Sequence, residues 1–87
     1  MLTELQRAIL DQADASLFGR YVVLTQLRQG GGVRGNLISR AATALAKVGY
    51  LTLDATYRDS ESVHAGGLIY SETVYLITPA GREALKV

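Results

Sequence analysis

Asn36, Arg40, Thr43 and Lys47 recur at i, i+4, i+7 and i+11. On a helix that spacing stacks side chains along one face. An arginine fork can meet O6 and N7 of guanine, an asparagine amide N6 and N7 of adenine, and a threonine methyl the methyl of thymine. Lys47, at the end of the stripe, suits a phosphate better than a base. The plain alternative is a solvated face, which any surface helix presents. Charge is one-sided around the stripe. Residues 16–53 hold Arg20, Arg28, Arg34, Arg40 and Lys47 and no acid. Residues 1–15 set Arg7 against Glu4, Asp11 and Asp14, and residues 54–87 set Arg58, Arg82 and Lys86 against five acids. The net charge of +1 therefore hides a basic middle, which suits a polyanion-facing surface. Arg34, at or before the start of the striped helix, is placed to meet phosphate with help from the helix dipole. Arg20 and Arg28 are candidates for contacts to a nucleic-acid backbone.

Other chemistries fare worse. His64 is the only histidine and there is no cysteine, so a metal would have to be held by carboxylates. A solvated histidine is the better reading, and no metal or other cofactor is expected. No nucleophile elbow or oriented triad pattern gives His64 a serine partner. Asp59 and Glu61 fall in a polar stretch unsuited to holding catalytic geometry. No enzyme is expected, and no small-molecule ligand. Tyr50, Tyr57, Tyr70 and Tyr75 cluster late in the chain, where strand packing explains them better than base stacking.

The elements that must carry these residues follow from periodicity. The chain has 87 residues, enough for one domain, and 25 of them are Val, Ile, Leu or Phe, enough for a core. No apolar run is long enough to cross a membrane. The first fifteen residues do not read as a signal peptide, so a cytoplasmic protein is expected. Thr3 is a plausible N-cap for a helix over 3–14, with Leu5, Ala8, Ile9 and Ala13 as its stripe. Ser16 suits the cap of a second helix to about Gln29, with Leu17, Tyr21, Leu24 and Leu27 inward. The Val22-Val23 pair fits a strand as well. Gly30-Gly31-Gly32 ends that segment. No Gly-Lys-Ser/Thr follows, so a helix-to-helix turn is expected rather than a phosphate loop.

A third helix runs from Val33 or Arg34 to Val48, with Gly49 as its left-handed terminator. Ile38, Leu45 and Val48 fall within about 60° of Ala41, and the polar stripe falls on the opposite side. From Leu51 the period becomes two: Leu51, Leu53, Ala55 and Tyr57 alternate with polar residues as a half-buried strand. Arg58 to Gly67 reads as a polar loop and Leu68 to Thr78 as the returning strand. Thr78-Pro79 opens a last short helix.

Two runs carry a resemblance. Ser39-Arg40-Ala41-Ala42-Thr43-Ala44-Leu45-Ala46-Lys47-Val48-Gly49-Tyr50-Leu51 resembles the recognition helix and exit of MarR-like and PadR-like winged-helix regulators. Tyr75-Leu76-Ile77-Thr78-Pro79-Ala80-Gly81-Arg82-Glu83-Ala84-Leu85 is similar to the end of the wing in the same families, which closes with Leu-Thr-Pro-x-Gly and a helix. The likeness spans about Leu17 to Leu85. The triple glycine, the long wing loop and the absence of long dimerisation helices depart from it.

The resemblance implies an α+β fold, a winged helix-turn-helix of three helices, a two-stranded antiparallel wing and a short C-terminal helix. It implies sequence-specific binding of double-stranded DNA by a transcriptional regulator, with helix 34–48 in the major groove and the wing 51–78 on flanking DNA. The expected contacts are Arg20, Arg28, Arg34, Asn36, Arg40, Thr43, Lys47 and, on the wing, Arg58. A homodimer is expected, with the apolar helix 3–14 as the candidate interface. The rival is a winged-helix protein-interaction module without DNA contact, which the acidic wing loop favours.

Overall fold

A computed structural model of the chain describes residues 2–27, 37–64 and 68–87. Six elements follow one another: α1 (Glu4–Ala15), β1 (Arg20–Leu27), α2 (Leu37–Lys47), β2 (Leu51–His64), β3 (Leu68–Ile77) and α3 (Pro79–Leu85). The fold is α+β, three helices and one antiparallel sheet in the order β1-β3-β2.

α1 begins as its sequence predicts. The Thr3 hydroxyl accepts from the Gln6 N–H at 3.1 Å, and the Gln6 amide oxygen accepts from the Thr3 N–H at 3.0 Å. This reciprocal capping box satisfies two otherwise unpaired donors. The helix ends at Ser16, whose N–H donates to the carbonyls of Gln12 and Ala13.

The expected second helix over 16–29 is not formed. Leu17 and Phe18 are exposed in a turn, and Gly19 then takes φ +68°, which breaks any helix and reverses the chain. Residues 20–27 are strand β1. Val22, Val23 and Thr25 favour a pleated strand, and β3 supplies the partner, with Val23 opposite Thr73 and Tyr21 opposite Tyr75. The expected stripe is accordingly undone, with Leu17 and Leu24 both largely exposed.

The expected loop from Arg58 is also corrected. β2 continues to His64, with Arg58 opposite Ser71 and Asp59 opposite Tyr70. Polar residues pair through their backbones as well as apolar ones when a neighbouring strand is present. Gly66 and Gly67 lie outside the described residues.

The alternation of β2 is interrupted as well. Leu53 pairs with Tyr75 but Ala55 pairs with Val74, so Asp54 is the extra residue of a bulge. Leu51 therefore faces the helices, while Ala55 turns to the opposite face.

α1 and α2 cover one side of the sheet, and α3 packs against α1. Ile9, Leu10 and Ala13 of α1 and Ala42 and Leu45 of α2 meet Val23, Leu51, Tyr75 and Ile77 in a single core. Each fully buried Ile or Leu here contributes about 1.5–3 kcal/mol relative to exposure. α3 is held to α1 by Arg7, which donates to the Leu85 and Val87 carbonyls at 3.2 and 2.9 Å, and by Arg82, 3.0 Å from Asp14. The other side of the sheet carries Arg20, Val22, Leu24, Thr52, Ala55, Val74 and Leu76, with no helix over it among the described residues.

Candidate functional site

The stripe lies on α2, and the helix is positioned by its apolar side. Ala42 and Leu45 are fully buried, and Ala41 and Ala46 pack against the same core. Ile38 and Val48, expected to be inward, stand at the margins and are exposed. The helix stops in a Schellman turn: the Gly49 N–H donates to the Ala46 carbonyl at 3.2 Å and the Tyr50 N–H to the Leu45 carbonyl at 2.9 Å. Gly49 has φ +87°, the left-handed value expected of it.

On the outward side Arg40, Thr43 and Lys47 are all exposed. The Thr43 hydroxyl donates to the Ser39 carbonyl at 2.8 Å, leaving its methyl and remaining lone pair outward. Among the described residues, neither Arg40 nor Lys47 forms an ion pair. α2 itself contains no acid, so nothing on the helix offsets the two cations. Two long cationic donors flanking a small hydroxyl side chain can bind phosphates and base edges from a single helix face.

The remaining candidates are scattered. Arg28, Arg34 and Asn36 lie outside the described residues. Arg58 sits in β2, far along the hairpin from the α2 exit. Arg20 starts β1 opposite Leu76, on the face of the sheet away from α2. Its guanidinium stands 3.7 Å from the Asp54 carboxylate, a pair that the bulge at Asp54 brings across β3. Sequence reasoning missed that acid partner because it lies 34 positions away and depends on strand pairing. The Val22-Val23 pair was the one available signal of the strand that creates it.

A cleft of about 540 Å³ opens between α1, α2 and α3, lined by Leu2, Gln6, Ala44, Val48, Tyr50 and Val87 among others. It is mainly apolar. Its one cation, Arg7, is occupied by the carbonyls at the end of α3. It brings no pair of titratable groups together for acid–base work. No group of His, Asp or Glu suited to a metal ion occurs among the described residues, and no helix of the structure is long and apolar enough to cross a membrane.

Comparison with protein-family models, with curated proteins and with solved structures gives no match to this chain.

Proposed function

We propose that the protein binds double-stranded DNA, laying the Arg40–Thr43–Lys47 face of α2 in the major groove with the β2–β3 hairpin as a wing on flanking DNA. The observation that carries this reading is an acid-free helix packed by Ala42 and Leu45, with exposed Arg40 and Lys47 on its outward side and, among the described residues, no acid paired to either. The order of a helix, a Gly49 turn and a hairpin agrees with a winged helix. Among the described residues, β1 is the element that precedes α2, so on this reading α2 enters the groove braced by the sheet. The role that follows is transcriptional regulation in the cytoplasm.

Fluorescence anisotropy of a labelled random duplex, titrated at several salt concentrations, tests the reading. Binding that weakens steeply with salt supports it, because each neutralised phosphate releases counterions. No binding at low salt would overturn it. A second reading, docking of another protein, is favoured by the apolar Val22 and Leu24 exposed on the sheet.

A further inference from the structure

On the face of the sheet away from the described helices, Val74 of the central strand is only 6% exposed. Val22 on one side and Ala55 on the other are its paired neighbours. Among the described residues, the strands on both sides are what flank this valine. Val22 and Leu24, on β1, have a strand on one side only, and they are 48% and 60% exposed.

The two edges of the sheet are guarded differently. β2 carries a bulge at Asp54 and a register shift beyond Asp59, both devices that discourage pairing. β1 has eight residues, Arg-Tyr-Val-Val-Leu-Thr-Gln-Leu, paired with β3 in unbroken register. It has no proline and no bulge, and its one charge is at its first residue. Among the described strands it is an edge of about 27 Å that turns alternate N–H and C=O groups away from β3, the first of them, the Arg20 N–H, donating to the Ser16 hydroxyl at 2.7 Å.

From these observations we infer that β1 pairs antiparallel with β1 of a second copy, joining two three-stranded sheets into one of six strands. The strand is complementary to itself. A two-fold axis at Val23 sets Val23 opposite its counterpart and Val22 opposite Leu24 of the second copy, twice. Each of those side chains then gains the second flank that Val74 already has, and cross-strand apolar pairs are what stabilise a sheet. Arg20 falls opposite Gln26, so no like charges meet. The bulged β2 edges end the sheet, so association stops at two. α1 is the poorer surface: Ile9 and Leu10 are spent on the protein's own core, and Leu5 alone of its large apolar side chains is exposed.

This inference goes beyond DNA binding and does not depend on it, so the test is run without DNA. Sedimentation of the full chain from about 1 μM to about 1 mM, the range suited to a small interface, should show a species of twice 9.4 kDa. Leu24→Lys and Val22→Lys replace side chains already half in water, so the monomer should keep its circular dichroism. Each should weaken the dimer by about tenfold or more. Hydrogen exchange should protect alternate β1 amides in step with concentration. A monomer at every concentration would overturn the inference. So would a dimer that survives both lysine variants, a dimer lost instead on Leu5→Lys, or open-ended association beyond two copies.

Discussion

The Thr78 hydroxyl donates to the Gly49 carbonyl at 2.6 Å, joining residues 29 apart in sequence. The same oxygen accepts from the Gly81 N–H at 3.1 Å, and the Thr78 N–H donates to the Tyr50 carbonyl at 3.1 Å. The turn that ends α2 is thus clamped by the cap that starts α3. A Cβ at Gly81 would collide with the Tyr50 carbonyl oxygen. The runs 39–51 and 75–85 therefore meet in space, and the second fixes how the first leaves its helix.

The clamp gives a first prediction. Thr78→Val removes a helix N-cap and should cost about 0.5–2 kcal/mol. Gly81→Ala forces backbone apart from backbone and should cost about 1–3 kcal/mol. In thermal denaturation each kcal/mol should lower Tm by about 4–8 °C in a domain of this size. An unchanged Tm for Gly81→Ala would mean that α3 does not dock on the Tyr50 carbonyl.

Gly49 differs from Gly81 in kind. Nothing lies within 4 Å of a Cβ at Gly49, so its requirement comes from φ +87° alone. Gly49→Ala should cost about 1–2 kcal/mol, and Gly49→Asn less, since asparagine tolerates the left-handed region. Denaturant unfolding of the two variants separates the explanations: equal losses would point to a steric cause and remove the conformational one.

Much of the fold was legible because the signals were local. Thr3 with Gln6, Gly49 after Lys47, and Thr78 with Pro79 each state a helix boundary in adjacent residues, and each boundary is where the sequence puts it. The outward placement of Arg40, Thr43 and Lys47 followed from a 3.6-residue period. β1 was not legible in the same way. Leu17, Tyr21, Leu24 and Leu27 fit a helical stripe, and only pairing with β3, some 50 residues later, decides for the strand. The face switch at Asp54 was hidden for the same reason, since a bulge is a relation between two strands.

On the DNA reading, Arg40 occupies the centre of the exposed face of α2 and reads a base. Arg40→Ala should weaken specific binding by about 1–3 kcal/mol and relax preference at one base pair. Selection of bound sites from a random duplex pool, with the parent and the variant in parallel, checks both effects. An identical consensus from the two proteins would remove Arg40 from base readout.

Lys47 and Arg20 should differ. Lys47 projects from the last turn of α2 with no ion pair among the described residues, so Lys47→Ala should weaken binding evenly across sequences and reduce the salt slope by about one unit. Arg20 lies on the other face of the sheet and already has a carboxylate 3.7 Å away. A duplex seated on α2 cannot reach that face without wrapping the sheet edge. The Arg20–Asp54 pair is also too exposed for its loss to cost much stability. Arg20→Ala should therefore leave both the salt slope and the affinity for random duplex unchanged, and Asp54→Asn should do the same. A slope that falls for Arg20→Ala as far as for Lys47→Ala would put DNA on the open face of the sheet. The face of α2 would then lose its place as the principal contact.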